Sequence, residues 1–360
     1  MTIKPGALRF NTDSMKLEIF RGSANYEGTA SMAGIGTLAA GQWEEIQATS
    51  PEVQTGGARG IIAGGRVSAP NFSDLIEYIN ISTTGNAVDF NANLATAGGR
   101  GSSASSSTRG VFIGGQSPSP TFNNDVQFIT FASTGTITDW GTNLTNGNIG
   151  CDGCHSTQTR AVFALGQTGP DAADFTNRIE YFEIASTGSS IPDFGDLSAV
   201  RASTNGAAGS STRGIYCGGR TDVSTRTNLM EFVTMSTLGN ASDFGDLSLA
   251  VSLGTAGSNA NRMVIAGGFN PSPLNARRNT IDYVSIATLG NAQDFGDLTL
   301  ARTDGAAMAS STRCAFGAGD PSTSVIDYIQ FNSLGDAMDF GDVTARDEAF
   351  EGLSSGHGGL

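Results

Sequence analysis

Residues that enzymes depend on are scarce in this chain. It has 360 residues but only two histidines, His155 and His357, and four cysteines. Two histidines are too few for a histidine-rich copper centre, and a Ser–His–Asp triad would have to use one of them. No Gly-x-Ser-x-Gly elbow frames a nucleophile. Four cysteines in a chain of this length do not make a disulfide framework. No window approaches the ~18 apolar residues of a spanning helix, so no membrane insertion is expected. The opening "MTIKPGALRF" lacks the apolar core of a signal peptide, so synthesis and folding in a reducing cytoplasm are expected. Charged residues make up 15% of the chain and are one-sided, with a formal net charge of −14. Such a surface repels phosphate backbones, which argues against a nucleic-acid partner.

What is plentiful is glycine, 49 residues of it, among frequent Ser, Thr and Asn. That mixture suits short strands joined by tight turns. The segment "STRGVFIGG" (107–115) recurs as "GARGIIAGG" (57–65), "QTRAVFALG" (158–166), "STRGIYCGG" (211–219), "NANRMVIAGG" (259–268) and "STRCAFGAG" (311–319). Its arginines, at 59, 109, 160, 213, 262 and 313, are separated by 50, 51, 53, 49 and 51 residues. After each comes a second strand pattern, such as "IEYINIS" (76–82) or "IDYVSIA" (281–287), then a turn such as "TLGN". An Asp-Phe-Gly segment follows: "DFGDL" at 193–197, 243–247 and 294–298, "DFGDV" at 339–343, with the variants "DFNANL" (89–94) and "DWGTNL" (139–144). Small residues, as in "ARTDGAAMASSTR" (301–313), lead into the next arginine.

A period near 50 residues with four strand-sized segments predicts propeller blades, and six units predict a six-bladed, all-β ring. A solenoid or a two-sheet sandwich is the alternative architecture. The Asp-Phe-Gly triplet also holds magnesium in protein kinases, but there it stands once, beside companions missing here. Its repetition points to structure. Phe194, Phe244, Phe295 and Phe340 are expected between neighbouring sheets, with the glycine permitting a tight backbone. The aspartates are expected to accept backbone N–H bonds or to meet the repeated arginines. Repeated calcium sites are the sharper reading, but one Asp-x-x-Asp offers fewer oxygens than calcium takes.

The C-terminal "ARDEAFEGLSS" (345–355) aligns with "ARTDGAAMASS" (301–311), whereas the first unit lacks its opening small-residue strand. The C-terminal strand is therefore expected to complete blade one and close the ring, removing exposed sheet edges. Residues 1–50 are expected to form a small N-terminal β module and 51–360 the propeller.

The paired glycines after an apolar strand, followed by a Tyr or Phe strand, resemble the kelch-type propeller, without the usual kelch tryptophan. The repeat unit also looks like repeats of tailed-bacteriophage structural proteins. "PGALRFNTDSMKLEIFRGS" (5–23), continued by "GQWEEI" (41–46), is similar to a short anchoring module of phage tail-fibre and virion proteins. There a strand, an Asn-Thr turn, a second strand and a Trp-containing third strand form one unit; here residues 23–40 lengthen it. The resemblance implies a virion protein, made in the host cytoplasm and attached to other virion proteins through residues 1–50. Homo-oligomerisation stays open.

"CDGCH" (151–155) matches the attachment motif of c-type haem. In register, however, it falls on a small-residue propeller strand, so Cys151 and Cys154 are expected to fill strand positions, and no cofactor or metal is expected. Cys217 and Cys314 sit in apolar strands and read as core. The kelch resemblance brings an oxidase-type or carbohydrate-active enzyme into view as the alternative. The paucity of histidine and the repetition of every carboxylate pair argue against it, because a glycosidase needs one differentiated pair. No enzymatic activity is expected.

The units differ most between the glycine pair and the next strand, at 66–75, 116–125, 167–178, 220–229, 269–280 and 320–324. Corresponding loops of a propeller share a face. Several pair an aromatic with an amide: Asn71 with Phe72, Phe122 with Asn123, Phe175 with Asn177, and Phe269 with Asn270. These eight are the candidate ligand-binding residues, suited to stacking on a sugar or gripping a protein on a host surface.

Overall fold

Short apolar, small-residue or alternating runs, with glycine or asparagine turns between, make each repeat a four-stranded antiparallel meander. The computed structural model describes residues 7–11, 16–21, 42–45, 59–68, 71–117, 122–148, 153–169, 174–271, 274–348 and 352–360. Residues Met1–Val53 and Gln54–Leu360 form two compact units. In the first, strands Leu8–Asn11, Lys16–Arg21 and Gln42–Glu45 pair antiparallel in that order, with Phe20 opposite Trp43. The expected turn at 12–15 lies outside the described residues.

The second unit is a six-bladed propeller of four-stranded sheets. Blade six shows the pattern, with an innermost strand Ala306–Ala309, then Arg313–Gly317, Thr323–Gln330 and an outermost strand Met338–Arg346. The innermost strands converge on the axis and hold small residues, Ser102–Ser105 in blade two and Ala207–Gly209 in blade four. Blade one takes its innermost strand from the end of the chain, with Leu353 pairing Ile61 and Ser354 pairing Gly60. Leu353 is buried against Ile61, Phe112 and Ile129, so the closing strand ties blade one to blade two as well. The expected closure is what the structure shows. Residues 349–351 of the same segment lie outside the described residues.

Each blade carries one repeated stack. The arginine that opens the second strand lies over the third-strand aromatic: Arg59 over Tyr78, Arg109 over Phe128, Arg160 over Tyr181, Arg213 over Phe232, Arg262 over Tyr283 and Arg313 over Tyr328. The distances to the ring centroid are 4.5–4.8 Å. That aromatic meets the Asp-Phe-Gly ring edge-on, as Tyr283 meets Phe295 at 5.9 Å. The guanidinium then donates to a carbonyl of the next blade: Arg59 to Phe131, Arg109 to Ile184, Arg160 to Met235, Arg213 to Ile286, Arg262 to Phe331, and Arg313 to Ser82. The repeated arginines thus staple blade to blade all round the ring. Aromatic faces and backbone oxygens take the place of the aspartates considered as partners, because the arginine opens the second strand directly over the third-strand ring.

The Asp-Phe-Gly segment sits at the same seams. Phe194, Phe244, Phe295 and Phe340 are all buried between sheets. Asp89, Asp139 and Asp243 each accept the N–H two residues on. Gly296 has φ +149°, and a Cβ there would overlap the carbonyl oxygen of Gly335 in the next blade's turn. The Gly335 N–H in turn donates to the Phe295 carbonyl at 2.9 Å. The triplet recurs because a blade's third-to-fourth-strand turn docks onto its neighbour's glycine, a place taken in blade one by Asn91 at φ 60°.

Three seams add a buried ion pair: Arg201 with Glu231, Arg302 with Asp327, and Arg346 with Glu77. Each arginine follows the outermost strand of one blade or ends it, and each acid stands in the third strand of the next.

Candidate functional site

The antiparallel meander sorts the connections onto two faces. First-to-second and third-to-fourth connections share one, the turn face. Second-to-third and fourth-to-first connections share the other, the loop face. The six divergent loops therefore do emerge together.

On the axis lies a cavity of about 40 Å³, lined by innermost strands of all six blades, among them Ser103, Ser105, Cys154, Ser156, Ser258 and Ser354. Room for a few waters among serine hydroxyls is what that volume provides. The cavity also brings together the two histidines that sequence separation kept apart. His357, in the segment beyond the closing strand, stands at the turn-face end against His155, ring centroids 5.9 Å apart. The Nε2 of His357 lies 3.1 Å from the Ser105 carbonyl and 3.3 Å from the Ser156 hydroxyl, and that of His155 lies 2.8 Å from the Ser210 carbonyl. Gly358 donates to the Ser258 carbonyl at 2.8 Å; Cβ atoms at Gly358 and Gly359 would overlap the Gly209 and Ser156 carbonyls. Burial pushes the His155 pKa down to about 3 and the His357 pKa down to about 4. Two neutral imidazoles bonded to backbone oxygens seal this end of the channel. Only the run "SGHGG" hinted at this, its glycines being what a segment threaded between carbonyl groups requires.

Cys154 lies on this wall in the innermost strand of blade three, Cys154–Ser156, as its register predicted. Cys151 lies outside the described residues. Cys217 and Cys314 are buried, and burial raises both thiol pKa values. Among the described residues no group of three or more His, Cys, Asp or Glu side chains could hold a metal ion.

At the loop-face mouth, charge replaces imidazole. Arg66 pairs with Asp347 and Glu348, and Arg100 pairs with Asp304 and Glu348, at 2.8–3.3 Å. Burial raises the pKa of Glu348 against the pull of the two arginines. Arg100, Asp304 and Glu348 all have positive φ, as do Ser203 and Leu253 at the matching bends. The N–H of Arg100, Leu253 and Asp304 donates to the carbonyl of Glu348, Ser203 and Leu253 respectively, so neighbouring bends hold one another around the axis.

The eight candidates all lie on this face, in unequal settings. Asn71 is exposed, within 3.3 Å of the Ser68 hydroxyl, and Phe72 beside it is half-buried. Phe122 is half-buried, bridging to Gln116, and Asn123 accepts the Asp125 N–H. Phe175 is buried beneath Arg220, and Asn177 donates to the Leu197 carbonyl. Phe269 lies beneath Arg226, and Asn270 is buried, with its amide oriented to donate to Ala250 and accept from Arg278. The side chains that reach solvent beside them include Val67, Val223, Leu274 and Arg277, which the aromatic–amide pattern passed over.

No family model matches the chain, and no curated protein matches it. Function therefore rests on the geometry and on the repeat itself. A ring stapled at every seam holds six variable loops on one face.

Proposed function

We propose that the chain is a non-enzymatic structural protein of a tailed-bacteriophage particle, a fibre, a head or neck appendage or a receptor-binding component. In this reading residues 1–50 attach it to other virion proteins, and a kelch-like propeller presents its loop face to a surface glycan or protein. The observation that carries the recognition half is the contrast between faces. Arg–aromatic stacks and glycine docking repeat around the turn side of the ring, while length and composition diverge most in loops that share the other face. Repetition holds a scaffold rigid, and variable loops on a rigid scaffold are where binding resides. The virion half is supported by the resemblance of the repeat and of residues 5–23 to phage structural modules. The two histidines support the absence of catalysis, since His155 is buried, His357 is half-buried, and both lie within hydrogen-bond distance of backbone oxygens.

The test is to label purified particles with antibody against the propeller and image them. Discrete labelling at one location on the particle is expected. Absence of the chain from purified particles would sink the virion reading.

A further inference from the structure

The loop face is not uniform in charge. Loops 220–229 and 269–280, of blades four and five, hold four arginines (Arg220, Arg226, Arg277, Arg278) against one aspartate, Asp222, in a chain of net charge −14. The Asp222 carboxylate is engaged within its own loop, accepting from the N–H groups of Ser224 and Thr225 and from the Ser224 hydroxyl. Those three bonds hold its pKa well below the usual carboxylate range.

The arginines form a ladder with the aromatics of neighbouring blades. Arg220 lies 5.5 Å over Phe175 of blade three; it bridges through the backbone to Arg226, which lies 5.7 Å over Phe269 of blade five. Phe269 pairs in turn with Arg277, whose guanidinium grips Asp320 of blade six through two nitrogens at 2.7–3.1 Å. Within this ladder Arg226 and Arg278 have no carboxylate partner among the described residues. Arg226 donates to the Ser252 hydroxyl and the carbonyls of Val223 and Ser224, and Arg278 to the Thr280 hydroxyl and to Asn270. Both are half-buried, so their forks are held in place by neutral acceptors while their charge stays uncompensated. Two oriented guanidinium groups without counter-ions, on a strongly acidic protein, are a receptor for spaced anions.

We propose that the loop face of blades four and five binds an anionic polysaccharide, with Arg226 and Arg278 each taking a carboxylate of a uronate-bearing chain. This deepens the recognition reading above and rests on it. A uronate polymer fits better than nucleic acid. Both polymers meet the same acidic field, but uronate carboxylates come one per sugar and can meet discrete arginines, whereas single-stranded nucleic acid also needs aromatic faces for its bases, and Phe175 and Phe269 lie beneath Arg220 and Arg226.

The experiment titrates the full chain with polygalacturonate, neutral dextran and single-stranded DNA at low salt, with Arg226→Gln/Arg278→Gln as the variant. Binding to polygalacturonate is expected, roughly threefold to tenfold weaker in the variant and weakened by added salt, with dextran and DNA bound poorly. Absence of polygalacturonate binding, equal binding by the variant, or equal binding of DNA would overturn the proposal. If the variant misfolds, Arg226→Lys/Arg278→Lys keeps the charge and loses the fork, and a loss of affinity there supports the same site while unchanged affinity overturns it. Attachment of labelled protein to whole cells separates the readings. If cells are bound equally by wild type and variant, recognition stands and this site falls; if wild type binds neither cells nor uronate, both fall.

Discussion

The two faces of the propeller are built from the same strands and spend their side chains differently. On the turn face the interactions repeat: arginine on aromatic, guanidinium to the next blade's carbonyl, turn glycine onto Asp-Phe-Gly glycine. On the loop face the backbone bends repeat, but the side-chain contacts change from blade to blade. Blade four has Arg220 over Phe175, blade six has Asp320 gripped by Arg277, and blade one has Arg66 between Asp347 and Glu348. Stability should therefore be sensitive at the seams and in the closing strand, and tolerant at the exposed tips of the loops.

The largest effect is expected from the end of the chain. Removing residues 352–360 takes away the innermost strand of blade one, the burial of Leu353 and the histidine seal. Leu353 alone contributes about 1.5–3 kcal/mol of burial, and the vacated edge at Arg59–Ala63 becomes an open template for pairing. The truncated chain should aggregate on size-exclusion chromatography. A soluble monomer with an unchanged melting temperature would show that closure contributes little.

Next come the buried ion pairs. Arg302→Met leaves Asp327 fully buried, its Arg302 partner at 2.5 Å lost, and should cost about 3–5 kcal/mol in denaturant unfolding. Arg302→Met/Asp327→Leu should recover most of that loss. If the double variant is no better than the single, the pair is not the unit of stability at that seam.

Acid should loosen the same end of the channel. Both imidazoles have pKa values lowered from 6.5, to about 3 and about 4, so the unfolded chain takes up protons below pH 6.5 that the folded one refuses. Their contribution is full above pH 6.5 and is lost as pH falls through 4, roughly 3 kcal/mol each at pH 4. Glu348, its pKa raised by burial, works in the opposite direction, gaining stability as pH falls. Melting temperature should drop between pH 6.5 and 4, and His357→Gln should flatten that slope.

The sequence revealed the scaffold far better than the site, and particular residues show why. Six arginines about 50 positions apart set the register of every strand, and the unpaired small-residue segment at 345–355 pointed to the closure. The ion pairs are only half legible in the sequence. An arginine ends or follows the outer strand in units three, five and six and meets an acid in the next blade, but units one, two and four lack it and face Gln127, Glu180 and Asp282, so the acid alone does not mark a pair. The histidine pair could not be read, because 155 and 357 meet only once the ring closes. The loop residues were chosen by type, and type does not reveal burial where no period runs. Phe175 and Asn270 have the composition of binding residues, yet lie beneath arginines or against backbone.

That difference within the candidate set gives the smallest and most discriminating test of the two faces. Asn71 and Asn270 stand in equivalent loops of blades one and five. Asn270 is 6% exposed, and its amide answers a backbone carbonyl and Arg278. Asn71 is exposed, and its nearest polar partner is the Ser68 hydroxyl at 3.3 Å. Truncating a buried amide leaves its partners unsatisfied, so Asn270→Ala should cost about 1–3 kcal/mol. Asn71→Ala exchanges one exposed contact for water and should stay within about 0.5 kcal/mol. The two variants, compared by denaturant unfolding and by attachment to whole cells, separate the roles. If Asn71→Ala unfolds as wild type does but attaches less, the exposed tip of blade one serves recognition. If Asn71→Ala is as destabilised as Asn270→Ala, the loop tips belong to the scaffold, and the division between a rigid turn face and a variable loop face does not hold there.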